Sequence, residues 1–229
     1  MNGPIFQALG ETLTIIAGLM ISPIRLAGLI VVLTSKGGRY KGVAFAAGFF
    51  VALWVPTFLV AWLGHQALAT SGAGGASTWR SIIQGALGAF LLFLGVLSFV
   101  KWSRAYPDIH EPKWMEKIDS ASSLEVFGIG IVLLLANPKN LTLVVSASTD
   151  YAHAALSPAQ LAIVVTVFSV LGSLLVFIAI VLELAARKTS IRILSEMRPW
   201  LISHNGLILA VILVIMGMHL LGRGLSGMP

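Results

Sequence analysis

The chain has 229 residues, 57% of them hydrophobic and 10% charged, with a mean hydropathy of +0.93. A soluble domain carries about 25% charged residues, so an ordinary water-soluble fold is excluded. The net charge of +6 comes from Lys and Arg in short segments between apolar runs, a pattern of membrane retention and contact with membrane lipids in which nucleic acid is not an expected partner; the absence of cysteine excludes disulfides and thiolate chemistry.

A helix needs roughly 20 apolar residues to cross a hydrocarbon core. Runs of that kind place spans at about Ile5 to Leu33, Val43 to Leu63, Ser81 to Val100, Leu124 to Ser148, Leu161 to Leu182 and Leu201 to Leu221. No Lys or Arg precedes Arg25, so the first span is expected to stay as a helix and not to be cleaved as a signal peptide. The first and fourth spans exceed a simple crossing, and each contains proline in a polar tetrapeptide: Ser22-Pro23-Ile24-Arg25 and Asn137-Pro138-Lys139-Asn140. Both read as broken helices. Pro23 should free the carbonyl of Leu19, and Pro138 that of Leu134, because proline cannot supply the amide that closes the preceding turn.

Basic residues follow the first span (Lys36, Arg39, Lys41), the third (Lys101, Arg104, Lys113, Lys117) and the fifth (Arg187, Lys188, Arg192, Arg198). Gly64 to Thr78 and Thr149 to Gln160 contain neither Lys nor Arg. Retention of positive loops on the cytoplasmic side puts both termini outside. Trp62 and Trp79 flank the outer loop, and Trp102, Tyr106, Trp114 and Trp200 accompany the inner segments, where amphipathic rings favour the headgroup layer.

The expected fold is an all-α integral membrane protein with six transmembrane helices. It forms one membrane domain over 1–229: a three-helix repeat over 1–100, an interfacial connector over 101–122 that balances four cations against Asp108, Glu111, Glu116 and Asp119, and a second repeat over 123–229. Three helices per half make the repeats inverted, the arrangement in which paired broken helices mark a transporter's binding site.

Ser22, Pro23, Arg25, Asn137, Pro138, Lys139 and Asn140 are the candidate substrate-binding residues. Two cations deep in a membrane, beside the amides of half-helix N-termini, favour an anionic group; the structural alternative is that both side chains snorkel to the headgroups. Glu11 and Glu183 are candidates to pair with Arg25 or to couple movement to protons, Glu11 alternatively sitting in the outer headgroup layer and Glu183 alternatively being an interfacial carboxylate beside Arg187. His204, Asn205 and His219 read as capping or interfacial groups, and Gly48, Gly85, Gly88 and Gly95 as packing positions. No ligand spacing for a metal, no phosphate loop and no nucleophile motif is present in the sequence, so neither a metal nor another cofactor is expected, and the chain is read as a non-enzyme.

With the terminal pattern Trp200-Leu201-Ile202-Ser203-His204-Asn205 and the following apolar helix, the two tetrapeptides resemble the GAP family, or sulfolipid-addressing protein family, of the lysine-exporter superfamily. The resemblance spans nearly the whole chain. It implies an exporter-like protein of the bacterial inner membrane that delivers a glycolipid or peptidoglycolipid to the cell envelope by alternating access around the two breaks. The wider superfamily leaves open a small amino-acid-like solute as cargo, or an accessory scaffold in a lipid-export complex. Small residues on several helices allow a homodimer as well as a monomer.

Overall fold

The computed structural model describes residues 3–71, 73–105, 113–154 and 156–226, with the side chains of 69–78, 113, 186–191 and 194 excepted. Among these residues every regular element is a helix. Three helices are long and apolar enough to cross a membrane alone: α3 (Gly38–Ser71), α4 (Ala73–Ala105) and α10 (Asn205–Ser226). Three further crossings are bent pairs: α1 (Pro4–Met20) with α2 (Pro23–Thr34) at 58°, α6 (Ser123–Leu135) with α7 (Pro138–His153) at 73°, and α8 (Pro158–Gly172) with the first part of α9 (Leu174–Ser203) at 59°. Counting each pair as one crossing gives six spans. Large apolar side chains such as Phe93, Val96, Val132 and Val181 are more than half exposed, as in a protein whose outer solvent is lipid and whose backbone must be satisfied by its own helices. This is a multi-pass membrane protein.

The breaks at Pro23 and Pro138 fall where the sequence places them, with each proline as the first residue of a new helix, the position where its missing amide costs least. The third break, at Ser173, has no proline and was not expected. The adjacent Gly172-Ser173 is the local cause, since a Gly/Ser pair is a recognised site of sharp kinks.

Several boundaries shift. Gly64 to Thr78, read as a loop, is taken up almost wholly by the ends of α3 and α4, and the supposed connector begins only after α4 has run on to Ala105. Leu201 to Ser203, assigned to the sixth span, close α9, which ends at Ser203 with His204 as its cap, and α10 begins at Asn205. Tyr106, Asp108, Glu111 and the side chains of Lys113, Arg187 and Lys188 lie outside the described residues. Beyond them the connector, including the short helix α5 (Lys113–Glu116), packs inward: Met115 and Ile118 are buried, and Lys41 Nζ donates to the carbonyls of Ile118 and Asp119 at 2.9 and 3.1 Å.

Packing is exchanged between the halves. The pair α1/α2 lies against α8 and α9, the pair α6/α7 lies against α3, and α4 lies along α10. Close contacts depend on glycine. Gly88 and Gly95 of α4 face the backbone or side chains of α10, Gly217 and Gly224 face α4, and Gly48 and Gly130 join α3 to α6, the small-residue packing that lets helices approach in lipid.

Candidate functional site

The two tetrapeptides meet at the broken end of α1. Lys139, second residue of α7, is 1% exposed and its Nζ donates to the carbonyls of Gly18 and Ile21, both at 3.0 Å. Arg25, early in α2, is also 1% exposed; its Nη2 donates to the carbonyl of Met20, and its guanidinium carbon lies 4.2 Å from the centre of the Phe49 ring. The last carbonyls of a helix have no amide partners and carry the negative end of its dipole, so both cations settle on charge that the main chain supplies. Neither snorkels. Nε and Nη1 of Arg25 and Oδ1 of Asn140 have no hydrogen-bond partner among the described residues.

The helix starts at the breaks are largely occupied. Asn137 caps its own helix by accepting from Lys139 N at 3.0 Å. Asn205, from the α9–α10 corner, accepts from Ile24 N at 3.2 Å and so caps α2 from across the bundle. The expected row of open amides for an anion is thereby reduced to positions without a side-chain cap. Ser22 is buried and makes no capping bond, while its carbonyl receives Leu26 N. Leu134 O, the carbonyl expected to be freed by Pro138, accepts Asn137 N at 3.3 Å. Pro23 is buried and Pro138 exposed. Beside the second break, a cavity of about 440 Å³ is lined by Asn137 and Lys139 together with apolar residues that include Val132, Leu133, Leu209 and Leu213.

A second polar cluster lies toward the far end of α1. Asp150 of α7, whose side chain is fully buried, accepts from Arg80 (2.8 and 3.1 Å), from Gln84 (2.7 Å) and from Arg223 (2.7 and 3.1 Å). Glu11 accepts from Arg80 at 2.9 Å and lies 3.7 Å from Arg223. Glu11 therefore pairs with Arg80 and not with Arg25, because some ten residues of helix, about 15 Å, separate it from the break. Two carboxylates and two guanidinium groups here neutralise one another across α1, α4, α7 and α10. Nearby, Thr12 and Tyr151 hydroxyls share a hydrogen bond of 2.8 Å. Glu183 is wholly buried on α9; the side chain of Arg187, its alternative partner, lies outside the described residues.

Residues 13–226 match the family model described as Sap, sulfolipid-1-addressing protein. The chain belongs to this family. No curated protein and no solved structure matches it.

The sulfolipid-1-addressing match takes in both breaks and Arg80, Asp150 and Arg223, while Glu11 precedes it. Sequence reading missed Arg80, Gln84, Asp150 and Arg223. A signal was present: Asp150 and Arg80 stand at the borders of segments otherwise free of Lys and Arg, Arg80 just before the third span and Asp150 just after the fourth, ends that an alternating topology brings to one side, where opposite charges gain from meeting.

Proposed function

We propose that this protein moves an anionic glycolipid or peptidoglycolipid across the bacterial inner membrane toward the cell envelope, acting as a carrier and not as an enzyme, with both termini on the outer side. The observation that carries this reading is the juxtaposition at the second break of a buried cation, Lys139, with an apolar cavity of about 440 Å³. A lipid has the same two-part chemistry: an anionic headgroup for the ammonium and chains for the apolar wall. Membership of a family described by a lipid-addressing protein supports it.

The proposed movement is alternating access between two inverted halves. Each broken pair packs on the other half, so a shift of one half must reset the other's break. Lys139 and Arg25 hold backbone carbonyls. Cargo oxyanions would replace those carbonyls as partners, and the third break at Ser173, packed near Leu19, would allow α8 and α9 to follow.

Export of a compact carboxylate-bearing solute is the second reading, favoured by Arg25, whose guanidinium is sealed from lipid beneath Phe49. Reconstitution into liposomes tests both. Movement of a labelled anionic glycolipid, lost in Lys139→Met with thermal unfolding still cooperative, is the expected result. Movement of an amino acid alone would replace the lipid reading with the solute one, and movement of neither, with the folded protein retained in a larger assembly, would make it a scaffold.

A further inference from the structure

Arg80 forms part of the wall of two cavities. On one side lies a polar chamber of about 270 Å³ bounded by Gln7, Glu11 and Asp150; on the other lies a mostly apolar groove of about 440 Å³ between α3, α4 and α7, bounded by Val60, Leu68, Trp79 and Val145. His153 is the other residue common to both walls. The groove exists because α3 and α4, though consecutive, pack only loosely on each other, α4 being drawn to α10. Trp79 is 64% exposed at its mouth, an amphipathic ring of the kind that sits at headgroup depth.

Within the ion cluster Arg80 is the replaceable member. If it leaves, Asp150 keeps both oxygens bonded to Arg223, and keeps Gln84 as well. Its side chain is 28% exposed, whereas that of Asp150 is fully buried. Its other carboxylate among the described residues, Glu11, is partly exposed and can be solvated in its absence. Arg80 is therefore a cation that can change partners without stranding a buried charge, standing between a polar chamber and an apolar groove.

We infer that this end of the bundle is a second binding site, distinct from the central breaks, for an anionic amphiphile whose oxyanion takes Arg80 from Glu11 and whose chain lies in the groove beside Trp79. Guanidinium and phosphate, sulfate or carboxylate oxygens form two parallel hydrogen bonds, and the groove's size is that of ordinary ligand sites. Its place as a station on a lipid route rests on the proposed function; binding itself does not.

The test uses the full chain in phosphatidylcholine nanodiscs and reads quenching of the Trp79 fluorescence, isolated as the difference from Trp79→Phe. Brominated-chain phosphatidylglycerol is expected to quench at a mole fraction about tenfold below brominated-chain phosphatidylcholine, the factor given by ~1.4 kcal/mol of charge-assisted bonding. Arg80→Gln should abolish that preference. Glu11→Gln should enlarge it, because Arg80 then has one competitor fewer, and this variant decides the matter if Arg80→Gln does not fold. Equal quenching by the two lipids, a preference that survives Arg80→Gln, or a Glu11→Gln variant with weaker preference would overturn the site. So would protection by water-soluble glycerol phosphate as effective as that by phosphatidylglycerol, which would make it a free-anion site. Loss of transport in Lys139→Met with Trp79 quenching intact separates the central mechanism from this one.

Discussion

The two regions of α1 hold arginine and lysine in opposite ways. At its broken C-terminal end, Lys139 and Arg25 rest on the carbonyls of Gly18, Ile21 and Met20. Near Glu11, Arg80 and Arg223 rest on carboxylates. A carbonyl is a dipole without net charge, so the cations at the break keep their full charge available to an anion, whereas those at the far end already face carboxylates, and an anion there must first take Arg80 from the partly exposed Glu11. The comparison shows why burial alone does not identify a binding cation: what matters is whether its present partner can be displaced without leaving a charge behind.

Four substitutions can break this contrast. The largest effect is expected at Asp150→Ala, which leaves Arg80 and Arg223 with the partly exposed Glu11 as their carboxylate among the described residues; breaking a buried pair from one side costs about 3–5 kcal/mol, measurable as a lowered midpoint of thermal unfolding in detergent. Lys139→Met removes the donor for the carbonyls of Gly18 and Ile21, the first of these bonds buried and the second partly so, and should cost about 1–3 kcal/mol; a loss equal to that of Asp150→Ala would mean that Lys139 also serves a carboxylate. Asn205→Ala uncaps α2 from across the bundle, and the expected cost is about 1 kcal/mol, the usual value for a lost N-cap. Its signature is faster amide exchange at Ile24, and unchanged exchange there would remove the cap from the account. Glu11→Gln should change stability by less than about 1 kcal/mol, since the Arg80–Glu11 pair is partly exposed.

Much of the architecture was legible because lipid imposes simple rules. Apolar length located the crossings, and proline located two of the three breaks, since a missing amide is a local property. Helix ends were not legible: Gly64 to Thr78 is polar enough to be a loop, yet α3 and α4 continue through most of it, and nothing in the tally of charges requires a turn before residue 72. At the site, Lys139 and Arg25 were visible as isolated cations in apolar runs. Their partners were not, because carbonyls carry no sequence signature. Asp150 and Arg80 were hidden for another reason: their meeting depends on how four helices from both halves pack, which spacing along the chain does not encode. The cap by Asn205, 181 residues from Ile24, is of the same kind.

The glycine-lined union of α4 with α10 also bears on biosynthesis. When α4 leaves the translocon, its principal neighbour has yet to be synthesised, with α5 to α9 still to come in between. During that interval Gly85, Gly88 and Gly95 present a shallow notch to lipid, and Asp150, once inserted, has Arg80 and Gln84 but not yet Arg223. Arrival of α10 fills the notch and delivers the second guanidinium together, so a helix made much later completes both the packing and the charge balance of a helix inserted long before it.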